Sequence, residues 1–123
     1  MQTQHTFKTL KANPAYPGVF DIEPTELNEA RSLAGNNFKI VDVREVNEFT
    51  GELGHIPGAE LIVLGTLPEA VKKLNAEQTL VMVCRSGGRS AKAAAFLLEN
   101  KFNKVYNLRG GMLLWNELHL PKK

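Results

Sequence analysis

From Val19 onward, short apolar runs alternate with stretches of helical period. Val19-Phe20-Asp21-Ile22 reads as a short strand. Pro24 suits the first turn of a helix in which Leu27, Ala30 and Ala34 share one side, and Gly35-Asn36-Asn37 stops it. Lys39 to Val43 is β-branched and apolar, a buried strand, and Arg44 to Phe49 is a short helix with Val46 and Phe49 inward. Gly51 to Gly58 is loop and Leu61 to Leu64 a short strand. Thr66 and Glu69 have capping-box spacing, opening a helix with Leu67, Val71 and Leu74 on one side. Thr79 to Val83 (TLVMV) is apolar without alternation, as in a strand covered on both faces. Ser90 to Lys101 is a helix with a small-residue face at Ala91, Ala94, Ala95 and Leu98. Lys104 to Leu108 is a strand, and Gly111 to Leu118 a last helix with Met112 and Trp115 on one side, ended by Pro121. Such alternation predicts α/β architecture, helices flanking a mainly parallel five-stranded sheet, with ligands bound beyond the carboxyl ends of the strands.

Residues 1–18 lack periodicity, and Asn13-Pro14 and Tyr16-Pro17-Gly18 mark turns. They are expected to form an irregular arm, on the domain or loose in solvent, before a domain at 19–119 and a short tail at 120–123. One domain fits the length of 123 residues. Hydrophobic residues make up 43% and charged residues 23%, as in soluble globular proteins. A net charge of +2 without a basic block argues against a nucleic-acid or membrane partner. The single cysteine excludes an internal disulfide. Met1 to Lys11 lacks the layout of a signal peptide, so a reducing cytoplasm is the expected compartment.

Composition leaves the chemistry open; Cys84 narrows it. The cysteine ends the most apolar strand and is followed by Arg85-Ser86-Gly87-Gly88-Arg89-Ser90 and a helix. A loop feeding a helix N-terminus collects free N–H groups and the positive end of the helix dipole. Gly87 and Gly88 permit a tight curl with positive φ, and Arg85 and Arg89 add permanent cations. All three favour thiolate over thiol and would hold an anionic substrate against the sulfur. A lone cysteine after an apolar strand is ordinarily a small buried hydrophobe. Such a cysteine needs no cationic, glycine-rich collar, so the conjunction points to a nucleophile.

Spacing bears on the cargo. Cysteine phosphatases place five residues between cysteine and arginine; here four precede Arg89. The shorter loop leaves less room for a phosphoryl group and suits a single sulfur atom.

The chain resembles the single-domain rhodaneses. The resemblance rests on Asp42-Val43-Arg44 with Glu48-Phe49, Gly54-His55-Ile56-Pro57-Gly58-Ala59, the Cys84–Ser90 segment, and Asn107-Leu108-Arg109-Gly110-Gly111-Met112 with Trp115. These motifs span residues 19–118 in family order. The resemblance implies a three-layer α/β/α fold. It also implies that Cys84 takes sulfane sulfur from a donor such as thiosulfate, becomes a persulfide and passes the sulfur to cyanide or a thiol. Arg85, Ser86, Gly87, Gly88 and Arg89 would cradle the persulfide through backbone N–H groups. Arg85 or Arg89 would bind the sulfite part, and Ser90 could donate a hydrogen bond toward Cys84.

The other motif residues read as structural. Asp42 is expected to accept hydrogen bonds from a neighbouring loop, and Arg44 to pair with a carboxylate such as Glu48. His55 invites a general-base reading, but belongs to a turn in the rhodanese pattern. His5 and His119 have no partners at ligand spacing, so no metal is expected, and no cofactor. The leading expectation is a sulfurtransferase with a small anionic donor and a thiol, cyanide or protein acceptor. A non-enzymatic persulfide carrier or regulatory module, and a phosphatase or arsenate-reductase-like enzyme, stand as alternatives.

Overall fold

The computed structural model describes residues 7–33 and 37–123. The predicted positions of His5, Ala34, Gly35 and Asn36 lie outside the described residues. In chain order the elements are β1 (Lys11–Ala12), β2 (Phe20–Ile22), α1 (Pro24–Arg31), β3 (Phe38–Asp42), α2 (Val46–Phe49), β4 (Glu60–Leu61), α3 (Leu67–Ala70), β5 (Thr79–Val83), α4 (Gly88–Glu99), β6 (Val105–Leu108) and α5 (Gly111–Glu117). The strands form one sheet in the order β1-β2-β6-β5-β3-β4, parallel except for β1.

β5 lies between β6 and β3, and all five of its residues are buried. Its alternate side chains feed opposite faces. Leu80 and Met82 join Val41, Val43, Leu67, Ala94 and Leu97 in one core cluster. Val81 and Val83 join Ile22, Leu27, Ile40, Leu108, Met112 and Trp115 in the other. Helices α3 and α4 therefore cover one face, and α1 and α5 the other, completing the three layers.

Several elements differ from the sequence expectation. The sheet has six strands among the described residues, not five, because β1 pairs antiparallel with β2 through Lys11↔Asp21 and Ala12↔Phe20. Residues 7–18 are stitched to the domain. Phe7 is buried, edge-on to Phe38 and Tyr106. Thr9 donates from N and Oγ1 to the Glu26 carboxylate, and the Asn13 side chain caps the turn at Ala15 and Tyr16.

The predicted strand at Leu61–Leu64 shortens to two residues and is followed by a 3₁₀ turn, Leu64–Thr66. The Thr66 capping box does not form, since Thr66 sits in that turn and its hydroxyl donates to the Val63 carbonyl. Val46 faces outward at 61% exposure, because a single helical turn at the sheet's end has no core beneath it. In α4 the fully buried leucine is Leu97 rather than Leu98.

Candidate active site

Cys84 follows β5 directly and is 1% exposed. The chain then turns through Arg85, Ser86 and Gly87 into α4. Gly87 has φ +105°, the left-handed conformation that side chains resist, and its N–H donates to Cys84 Sγ at 3.1 Å. Gly88 has no positive φ and open space around its Cα. Only the first glycine of the pair supplies the curl, so the expectation for Gly88 is corrected.

The loop's carbonyls are drawn out of the sulfur cradle. Met112 N–H donates to Cys84 O and Leu113 N–H to Arg85 O, both at 2.9 Å, so the N-terminal turn of α5 takes two of them. Gly87 O accepts from Ala91 N–H and from Asn107 Nδ2, each at 3.2 Å. A Cβ on Gly111 would lie 2.5 Å from Cys84 O and 2.6 Å from Arg85 O, so only glycine lets α5 approach this closely. With the carbonyls held elsewhere, the first N–H groups of α4, which have no partner inside the helix, are left for an anion.

The two loop arginines differ. Arg89 is gripped by Glu48, with Nη1–Oε1 and Nη2–Oε2 both at 2.8 Å. The Arg89 hydrogen bonds, opposed by desolvation and aided by the Glu45 N–H, lower the Glu48 carboxyl to about 2. The same pair raises the Arg89 guanidinium above its usual value. Arg85 makes no ion pair among the described residues. It lines a cleft of about 400 Å³ with Arg44, Asn47, Glu48 and Leu53.

The expected pairing of Arg44 with Glu48 is corrected. Arg44 pairs with Asp42, Nε to Oδ1 at 2.9 Å and Nη2 to Oδ2 at 2.8 Å, and its own N–H also bonds Oδ1. The guanidinium reaches onward to the Gly54 carbonyl at 2.8 Å and the Glu48 carbonyl at 3.2 Å. It thus fixes α2, which presents the Glu48 carboxylate to Arg89. The partner choice follows from geometry: Asp42 is two residues away on the same buried strand end.

His55 stacks on Phe49 with ring centroids 3.7 Å apart, and its Nδ1 bonds the Phe49 carbonyl. A carbonyl only accepts, so Nδ1 carries the proton and the ring is spent on this turn. Ser90 is buried, with Oγ 3.2 Å from Cys84 Sγ and 2.5 Å from Asn107 Oδ1. Sequence reasoning named Asn107, Asp21 and Gly111 but missed their roles at the site. One signal was available: Asn107 is a lone polar residue in the apolar strand VYNL. Among the described residues no group of three or more His, Cys, Asp or Glu could hold a metal ion. No helix among them is long and apolar enough to cross a membrane.

The chain is similar to known proteins over most of its length. A thiosulfate sulfurtransferase of Pseudomonas aeruginosa is 33% identical over 91 residues, 74% of this chain and 81% of that protein. A sulfurtransferase of Allochromatium vinosum is 34% identical over 82 residues, 67% of this chain and 75% of its own length. The crystal structure of a rhodanese-like domain protein from Staphylococcus aureus superposes with a TM-score of 0.72 at 34% identity, covering 84% of this chain and 97% of that one. Residues 23–118 match the family described as the rhodanese-like domain, and the chain belongs to that family of sulfurtransferases.

Proposed function

We propose that this protein moves sulfane sulfur from thiosulfate, or from a persulfide donor, through Cys84 to cyanide or a thiol. The observation that carries this reading is the collar around Sγ: the Gly87 N–H at 3.1 Å, the α4 N-terminus, and carbonyls drawn away onto α5. Such a preorganised set of donors stabilises anionic sulfur without a general acid.

The Cys84 thiolate attacks the outer sulfur of thiosulfate. A Cys84 S–S bond forms, the bond to the sulfite sulfur breaks, and sulfite leaves with the electron pair. The acceptor then attacks the outer sulfur of the persulfide, and the Cys84 thiolate leaves. Ser86, Gly87, Gly88 and Ser90 line the cradle. Arg85 binds the sulfonate end, because the charge of Arg89 is already paired with the Glu48 carboxylate through both terminal nitrogens.

The experiment is turnover with thiosulfate and cyanide, read as thiocyanate, beside hydrolysis of an aryl phosphate. Thiocyanate formation lost in Cys84→Ser is expected. Phosphate ester hydrolysis without thiocyanate would overturn the proposal.

A further inference from the structure

Ser90 has one hydroxyl proton and two neighbours placed to receive it, Cys84 Sγ at 3.2 Å and Asn107 Oδ1 at 2.5 Å. Asn107 decides between them. Its side chain is buried at 1% exposure, and Nδ2 lies 2.9 Å from Asp21 Oδ1 and 3.2 Å from Gly87 O. A carboxylate and a carbonyl only accept, so the atom facing them is the amide nitrogen. The amide is therefore fixed with its oxygen toward Ser90. Asp21 is held in turn by Asn13 Nδ2 at 3.0 Å, which ties the arm of residues 7–18 to the same network. An amide oxygen has no proton to give, so the contact at 2.5 Å is made by the Ser90 proton.

We infer that Asn107 is a positioning residue that accepts the Ser90 O–H hydrogen bond, so that Ser90 turns a lone pair rather than an O–H toward Cys84 Sγ. Ser90 then accepts from the Cys84 S–H and favours the thiol, while the Gly87 N–H favours the thiolate. This reverses the expectation that Ser90 donates to the sulfur. Charged groups also enter from the surrounding elements: Arg85 on the loop, Arg89 in the first turn of α4, Asp42 and Arg44 at the end of β3, Glu48 from α2 and Asp21 from β2. Arg109, before α5, is paired with Glu23. None of these residues is substituted in the variants below, and only Asn107→Ala removes a hydrogen bond from one of them, Asp21.

The test follows the ultraviolet absorbance of the thiolate across pH, with Cys84→Ser as the blank. It requires no substrate, so it stands apart from the sulfur-transfer assay. Ser90→Ala removes the acceptor, and the midpoint of thiolate formation is expected to fall by about half a unit to one unit, the worth of one net hydrogen bond. Asn107→Ala frees Ser90 to donate to Sγ and lowers the midpoint as well. In the double variant Asn107→Ala adds nothing to Ser90→Ala, because it acts through that hydroxyl. A midpoint that rises or stays fixed in Ser90→Ala overturns the inference. So does an Asn107→Ala shift of equal size with and without Ser90, which would mark an effect through the loop backbone. Ser90→Ala decides the sign alone if the Asn107 variants fail to fold.

Discussion

Two arginine–carboxylate pairs stand beside the sulfur loop, and they differ in burial and reach. The Asp42 and Arg44 side chains are 0% and 1% exposed, and Arg44 also bonds the carbonyls of Gly54 and Glu48. The Glu48 and Arg89 side chains are 26% and 38% exposed, and among the described residues the side-chain hydrogen bonds of Arg89 go to Glu48 alone. The inner pair ties the end of β3 to α2 and the Gly54 turn. The outer pair sets which loop arginine stays available. They act in series, since Arg44 fixes the helix that offers Glu48 to Arg89. Charge near a nucleophile here has two uses, and only burial and partners tell them apart.

The comparison breaks most visibly at Arg44. Arg44→Met leaves the Asp42 carboxylate buried without its cation, which costs about 3–5 kcal/mol. A large drop in the urea midpoint is expected, with recovery when Asp42→Asn is added. A loss below 1 kcal/mol would make the inner pair no more structural than the outer one.

Arg85 sharpens the comparison from the other side, being the loop cation with no carboxylate partner among the described residues. Arg85→Gln is expected to leave stability within about 0.5 kcal/mol, as for an exposed position. It should raise the KM for thiosulfate roughly tenfold, the low end for a hydrogen bond to a charged group. An unchanged KM in Arg85→Gln, with a raised one in Arg89→Gln, would assign the sulfonate to Arg89 instead.

The smallest effect belongs to the outer pair. Glu48→Gln at neutral pH is expected to cost less than about 1 kcal/mol, as exposed ion pairs do. Its signature lies in acid. The Glu48 carboxyl is lowered from 4.5 to about 2 in the folded chain, so the unfolded chain binds the proton first. The pair's stabilisation is present above pH 4.5 and is lost as pH falls toward 2. Chemical denaturation between these values should show a decline that Glu48→Gln flattens; equal slopes would contradict the assignment.

What was legible in the sequence was local. The run TLVMV, the cysteine after it and the glycine-rich turn into a helix need no distant contact to be read, and they fall at β5, Cys84 and α4. Helix faces were less legible where helices are short: Val46 has the right period, but a one-turn helix has no core under it. Partner choice was not legible. Nothing in the spacing of Arg44 says that Asp42 wins over Glu48, nor that Glu48 reaches Arg89 across 41 positions. The Asn107 network joins β2, β6 and the arm, so it exists only once the sheet has formed.

The most direct test of the central claim is the intact mass of the protein after thiosulfate, before and after cyanide. A gain of ~32 Da, one sulfur atom on the cysteine oxidation ladder, removed by cyanide and absent in Cys84→Ser, is the expected result. An unchanged mass in the wild type, or a gain that persists in Cys84→Ser, would contradict the account.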